Sequence, residues 1–393
     1  MEKLTSMENI GRGMSEKLAA IGIDSGESLK ALGAEAAFAK LKARYPQVCL
    51  VHLYALEGAV CHLPFDSLSE SRKKELKAFS DSLKNQDKPG EKAPLFQETV
   101  KNWEDWGRIF QSKEAFAPLA REIFRREGLP FAPLTGLTPG TNGVFRSGPY
   151  VVKIFFPKEA GPDPRPDFEN EAAVCGRLAQ QGVPTPALTA QGVIEDAYTF
   201  YYLITRFFPG KEAGPWLASA STKEQAAFVG QLKSLLAKLN QPAEGLIPPV
   251  DLLKRAVENP RLQALPPNLR EEMAQRAKGL NLRPSVLVHG DLTGENLLVD
   301  AEGKLTLIDC ADACLAPAFY ELAPIVFELF QCREGLLRLF AGEDKENFVE
   351  QVLDAVCLHD FGAHMLRDAP LREGLPPFES LMDARRFLLE KFR

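Results

Sequence analysis

Residues 286–300 read Val286-Leu287-Val288-His289-Gly290-Asp291-Leu292-Thr293-Gly294-Glu295-Asn296-Leu297-Leu298-Val299-Asp300, and residues 304–309 continue Lys304-Leu305-Thr306-Leu307-Ile308-Asp309. Two apolar segments, Leu297 to Val299 and Leu305 to Ile308, flank the turn Asp300-Ala301-Glu302-Gly303, which predicts a β-hairpin. Pairing the segments brings Asn296, just before the first strand, close to Asp309 at the end of the second. An amide and a carboxylate side by side offer oxygen ligands for Mg²⁺. Asp291, five residues before Asn296, faces the same site and is placed to accept a hydroxyl proton or to orient that hydroxyl. Phosphoryl transfer asks for these parts, because its loose transition state demands positioning and charge neutralisation more than covalent help.

Working outward, this is the one β-like island after Pro209-Gly210. Ser221 and Glu224 are spaced as a capping box ahead of the stripe Phe228, Leu232, Leu235, Leu239, so a helix is expected there. Upstream, Tyr150 to Phe156 and Thr199 to Thr205 are rich in β-branched and aromatic residues and read as strands, with a helix from Pro166 to Gln180 between them. A helical stretch carrying Trp103, Trp106, Ile109, Phe110, Phe116, Leu119, Ile123 and Phe124 precedes them. The segment NQDKPGEKAP, residues 85–94, has the composition of an exposed linker. Before it come five short amphipathic helices: 15–21, 25–32, 35–44, 48–60 and 69–83. The division expected is a helical domain at 1–85, a linker at 86–102, a small β-rich lobe at 103–207 and a mainly helical lobe at 208–393.

The segment HGDLTGENLLVD followed by LTLIDCADA resembles the catalytic and metal-binding segments of aminoglycoside phosphotransferases and choline kinases, relatives of the protein kinases. Other pieces follow in the same order. Gly140-Thr141-Asn142-Gly143-Val144-Phe145 is similar to the family's nucleotide loop, Val151-Val152-Lys153-Ile154 to its phosphate-lysine strand, and Glu171 to the helix acid that pairs with that lysine. Glu169 competes for this last place. Leu203 to Gly210 resembles the hinge, which implies adenine contacts through backbone groups of Thr205, Arg206 and Phe207. Phe319 to Ala323 resembles a helix start of the larger lobe. The resemblance covers residues 103–393 and implies an α+β, bilobal protein-kinase-like fold that binds ATP or GTP with Mg²⁺. In it Lys153 meets the phosphates, Asn296 and Asp309 hold the metal, Asp291 is catalytic and His289 supports the catalytic loop.

After Asp309 the chain departs from the family pattern, with Cys310 and Ala311 where an aromatic and often a glycine or acid are usual. Altered packing beside the metal is expected from this, and Asp312 is read as a cap of the following helix in preference to a substrate contact. Cys357, His359 and His364 lack further ligands and read as packing residues.

Residues 3–84 resemble the C-terminal domain of TfoX/Sxy competence regulators, on Met7 to Ser25, Leu29 to Ala34 and Leu53 to Ala59, which implies a helix-hairpin-helix-like fold. Residues 1–85 hold 12 Lys/Arg against 11 Asp/Glu, leaving 35 against 42 for the rest. A balance of about +1 argues against nucleic acid as the partner of residues 1–85 and leaves a protein partner open. The seven cysteines show no CxxC pairing and suit reduced thiols. No apolar run reaches about 18 residues and the charged start resembles no signal peptide, so a cytoplasmic protein with no membrane contact is expected. The leading expectation is a small-molecule kinase acting on a hydroxyl-bearing substrate. The alternative is a nucleotide-binding but inactive kinase-like domain that controls the TfoX-like module.

Overall fold

The computed structural model describes residues 2–45, 48–87, 94–138 and 140–393, and the chain divides into two compact units, Met1–Pro94 and Leu95–Arg393. The first unit contains helices α1 (Arg12–Ala19), α2 (Gly26–Leu32), α3 (Ala34–Arg44), α4 (Leu50–Cys61) and α5 (Glu70–Asp87). Leu18, Leu29, Phe38, Leu41, Leu53, Leu56 and Leu76 meet in its core. Arg72 of α5 ties three helices together, reaching Glu35 at 3.1 Å, Glu57 at 2.8 Å and Glu75 at 2.8 Å. Glu57 is buried, and a buried carboxylate needs such a partner.

The second unit opens with α6 (Trp103–Ile109) and α7 (Lys113–Arg126). An antiparallel sheet follows, in the spatial order β1 (Thr135–Gly136), β2 (Gly143–Ser147), β3 (Tyr150–Ile154), β5 (Thr199–Arg206), β4 (Leu188–Glu195), with α8 (Arg165–Gln180) inserted in the chain after β3. The period-2 alternation of strands decides what covers each face. Phe200, Tyr202 and Ile204 pack with Val152 and Ile154 against Phe116, Ile123 and Phe124 of α7. Tyr201 and Leu203 turn the other way, with Phe155, toward Phe168 and Ala172 of α8. Strand β4 goes beyond the two strands the sequence suggested. Its residues alternate between partly buried and exposed, with Ile194 alone buried, so it carries little of the apolar signal that marks a strand.

The expected linker at 86–102 is too long at its C-terminal end, and residues 88–93 lie outside the described residues. Phe96 and Val100 are buried in the core of the sheet, with the Phe96 ring 4.9 Å from Phe116 and 5.1 Å from Phe200. The N–H groups of Leu95 and Phe96 donate to the Asp196 carboxylate at 3.0 and 2.9 Å. A polar-looking stretch is held here because two apolar side chains reach a ready-made aromatic pocket.

Beyond β5 come β6 (Lys211–Glu212), α9 (Ala213–Ser219), α10 (Thr222–Leu239), α11 (Leu252–Val257) and α12 (Pro267–Lys278). The capping box at α10 forms as expected: Ser221 N–H donates to Glu224 at 2.7 Å, and Phe228, Leu232, Leu235 and Leu239 are all buried. Next are β7 (Val286–Val288), β8 (Leu297–Val299), β9 (Leu305–Leu307) and β10 (Cys314–Ala316). The predicted hairpin is β8–β9, in the register Leu297 to Leu307 and Val299 to Leu305. Strand β6 adds to its edge, and β7 pairs with β10. Asp312 therefore precedes a strand and not the helix it was expected to cap. The lobe is completed by α13 (Leu322–Pro324), which runs on into a wider turn at Ile325–Leu329, then α14 (Glu334–Phe340), α15 (Lys345–Leu358), α16 (Gly362–Arg372) and α17 (Leu381–Glu390). No helix among the described residues is long and apolar enough to cross a membrane.

Candidate active site

Strand β3 carries Lys153 on the face turned to α8, and the sheet and helix together enclose its side chain. Lys153 Nζ stands 2.8 Å from Glu171 Oε2 on α8 and 2.8 Å from Asp309 Oδ1 beyond β9. The Asp309 contact is a hydrogen bond. The Glu171 contact is an ion pair by distance, without the alignment of a hydrogen bond at that oxygen. Glu169, the competing acid, is exposed. Burial pulls the Lys153 pKa down, but Asp309 and Glu171 outweigh it and hold the ammonium charged. Burial also pushes the Glu171 carboxyl up to about 7 against the pull of Lys153. For Asp309 burial works the same way, yet Lys153 prevails and the pKa falls below the usual carboxylate range. Asp309 is thus the more firmly ionised of the two acids. Protein surrounds it on most sides while its side chain stays 40% open to the cleft, and its backbone adopts a left-handed φ of 56°.

On the cleft floor, Asn296 Nδ2 donates to Asp291 Oδ2 at 2.6 Å and to the Asp291 carbonyl at 2.9 Å. Ile308 N–H donates to the Asn296 carbonyl at 2.9 Å, which links the residue before β8 to the end of β9. Burial, and then repulsion from Asp312 and Asp309, raises the Asp291 carboxyl to about 7, with the Asn296 bond pulling the other way. His289 is buried. Its Nε2 meets the Ile308 carbonyl at 3.1 Å and its Nδ1 accepts from Asp291 N–H at 3.3 Å. Burial lowers its pKa, so the neutral ring braces the loop.

Two further residues, neither assigned to this loop from the sequence, grip it. Glu321, buried, accepts from the N–H of His289 and, at 3.3 Å, from that of Gly290. Burial pushes its carboxyl up to about 7. His359, also buried, donates from Nε2 to the Gly290 carbonyl at 2.8 Å while its Nδ1 accepts from Phe361 N–H at 3.1 Å. Read as a packing residue, His359 has instead a directed bond to the loop. An acid inside the apolar run Phe319 to Ala323 was the one available signal for Glu321. Gly290 has φ 79° and leaves no room for a Cβ, which would lie 2.4 Å from the Asp312 carbonyl.

The loop Gly140–Gly143 comes to the site by a different route. The Thr141 carbonyl accepts the Trp106 indole N–H at 2.8 Å. Asn142, expected to meet the nucleotide, turns its Oδ1 to the Phe156 N–H at 3.2 Å and braces the loop from behind. At the hinge, two of the three backbone amides are taken. Arg206 N–H donates to the Ala187 carbonyl at 3.0 Å and Phe207 N–H to the Pro149 carbonyl at 2.9 Å, because the sheet continues through them. Their amides are therefore committed within the protein. The side chains are committed too, with the Arg206 guanidinium 4.7 Å from the Tyr150 ring and Arg146 3.8 Å from the Phe207 ring. Thr205 lies opposite Val151 in the β3–β5 register.

Residues 141–366 match the model of the phosphotransferase enzyme family, and residues 1–80 match that of the TfoX C-terminal domain. A solved structure of a point mutant of aminoglycoside 2'-phosphotransferase-IIIa with GDP is similar over 70% of this chain and 96% of its own, at 18% identity and a TM-score of 0.50. That likeness shows the bilobal kinase-like fold. Choline kinase LicA from Streptococcus pneumoniae is similar over 70% of this chain and 98% of its own, at 11% identity and a TM-score of 0.43. An uncharacterised protein from Listeria monocytogenes shares 38% identity over 21% of this chain and 92% of its own, with a TM-score of 0.20. None of the curated proteins matches. The chain belongs to the phosphotransferase enzyme family.

Proposed function

We propose that this family member moves the γ-phosphoryl group of MgATP, or of MgGTP, to a hydroxyl of a small molecule of aminoglycoside, choline or sugar type. The observation that supports this most is Lys153 standing 2.8 Å from both Glu171 and Asp309, over a floor where Asn296 is bonded to Asp291. In this reading the lobes are residues 103–207 and 208–393, and residues 1–85 form the TfoX-like domain. Lys153 meets the phosphates and Glu171 keeps it in place, while Gly140, Thr141, Asn142 and Gly143 form the loop over them. Carbonyl groups of Thr205, Arg206 and Phe207 meet the adenine edge, since two of their amides are used in the sheet.

Asn296 and Asp309 would hold Mg²⁺. The Asn296 amide nitrogen is already engaged by Asp291, so its Oδ1 joins an ionised carboxylate in a hard-oxygen set that suits the ion. Bound there, Mg²⁺ supplies neutralisation of phosphate charge. Asp291 orients the acceptor hydroxyl and takes its proton as the new O–P bond forms and the bond to the nucleoside diphosphate breaks. A carboxyl raised to about 7 is a stronger base than an ordinary aspartate, and burial of the loop lends it that basicity. His289 is the structural support of the loop.

The test is Mg²⁺-dependent turnover of ATP and GTP against a panel of aminoglycosides, choline-like amines and sugars, with Asp291→Ala alongside. Turnover with one compound that vanishes in the variant supports the reading and names the substrate class. Failure of the wild-type protein to bind either nucleotide in the presence of Mg²⁺ contradicts it.

A further inference from the structure

Helix α6 lies outside the stretch that matches the phosphotransferase family, yet its Trp106 bonds the proposed nucleotide loop directly. The indole N–H of Trp106, which is buried, donates to the carbonyl of exposed Thr141 at 2.8 Å. Phe110, just past the helix end, points its carbonyl at Gly143, where a Cβ would come within 3.1 Å. Asn142 is reached through Phe156: the Phe156 N–H donates to Asn142 Oδ1. The Phe156 ring is stacked on Trp103 at 4.4 Å and meets Trp106 edge-on at 5.6 Å. Thr141 and Asn142 are therefore each held by a hydrogen bond from a group that takes no part in the charge cluster.

A loop that must close over phosphates loses conformational entropy when it does so, about 1–2 kcal/mol for each residue fixed. A loop already fixed in the nucleotide-free protein loses less, and the difference appears as affinity. We propose that Trp106 is a positioning residue for nucleotide binding, its indole N–H holding the loop Gly140–Gly143 in the conformation that receives the phosphates. This rests on the reading of that loop as the phosphate cradle.

The experiment uses the full chain. Trp106→Phe keeps an aromatic ring in the pocket and deletes the N–H. Trp103→Phe, the control, alters the partly exposed stack on Phe156 and leaves the Thr141 bond in place. Calorimetric titration with MgATP is expected to show Kd raised about five- to tenfold in Trp106→Phe and changed less than about twofold in Trp103→Phe. Hydrogen exchange of residues 140–145 in the nucleotide-free protein is expected to speed up in Trp106→Phe while α10 exchanges as before. With a substrate in hand, the KM for ATP rises while kcat holds. A lowered melting temperature with unchanged Kd and unchanged loop exchange would show a packing role only and overturn the proposal. Should Trp106→Phe fail to fold, hydrogen exchange of residues 140–145 in the nucleotide-free wild type carries the test: protection there is expected, and exchange as fast as in an unstructured segment overturns the proposal. Wild type that binds no MgATP removes the nucleotide reading and this inference together. Wild-type binding matched by Trp106→Phe removes the inference alone.

Discussion

The two walls of the cleft are held by different forces. On the side of the small lobe, an ammonium group sits between two acids: Lys153 between Glu171 and Asp309, each contact 2.8 Å. On the floor, the loop around Asp291 is held by hydrogen bonds between side chains and backbone groups: His289 to Ile308, Glu321 to two amides, His359 to the Gly290 carbonyl. The first arrangement can exchange partners, because a lysine that leaves Asp309 for a phosphate keeps its charge satisfied. The second cannot, since each backbone group has one fitting partner and losing it leaves a buried group unpaired. A charge cluster suits the element that must rearrange when a ligand arrives. A backbone lattice suits the element that must not.

Substitutions can break this contrast, and the largest effect is expected at the reacting group. Asp291→Asn should lower kcat by about 10²–10⁴ and leave MgATP affinity near wild type, as read by turnover alongside calorimetry. Lys153→Met should weaken MgATP binding and lower kcat/KM by about 10²–10³. It also leaves two carboxylates facing each other without a cation, at a cost to stability of about 3 kcal/mol in chemical denaturation. Glu321→Gln replaces an acceptor oxygen with an N–H₂ group against a backbone N–H. Loss of about 1–3 kcal/mol of stability and a lower kcat with unchanged MgATP affinity are expected, and an affinity loss instead would blur the division between the two walls.

How much of this was legible follows from where each partner lies. The β8–β9 hairpin could be read because apolar segments and a turn stand next to each other, and Asn296 and Asp309 are placed by that local geometry. Lys153 and Glu171 could be read because strand and helix patterns surround them and a family resemblance orders them. Glu321 and His359 could not, because the groups they hold are backbone atoms 31 or more residues away and a backbone acceptor has no letter in the sequence. Which backbone groups of the hinge stay free was not legible for a related reason: whether the amides of Arg206 and Phe207 are engaged depends on how far the sheet runs, which strand propensity does not fix.

The smallest expected effect tests the neutral state of His359 on the floor. Burial lowers the His359 pKa to about 4, below the ordinary value near 6.5. The unfolded chain therefore takes up a proton at higher pH than the folded one, and stability contributed by His359 is present above about pH 6.5 and lost as pH falls toward 4. His359→Gln should abolish that dependence, so its stability gap to wild type narrows by about 1–2 kcal/mol between pH 7 and pH 5. Urea denaturation at the two pH values reads it, and a constant gap would mean that His359 titrates in the fold as it does in the unfolded chain.

The central claim is that the cleft assigns its two aspartates separate work, Asp309 to the metal-bound nucleotide and Asp291 to the acceptor. Calorimetric titration of MgATP into wild type, Asp309→Asn and Asp291→Asn tests it most directly. The account predicts Mg²⁺-dependent binding in wild type and Asp291→Asn and its loss in Asp309→Asn. Equal binding by all three proteins, or none by the wild type, would contradict it.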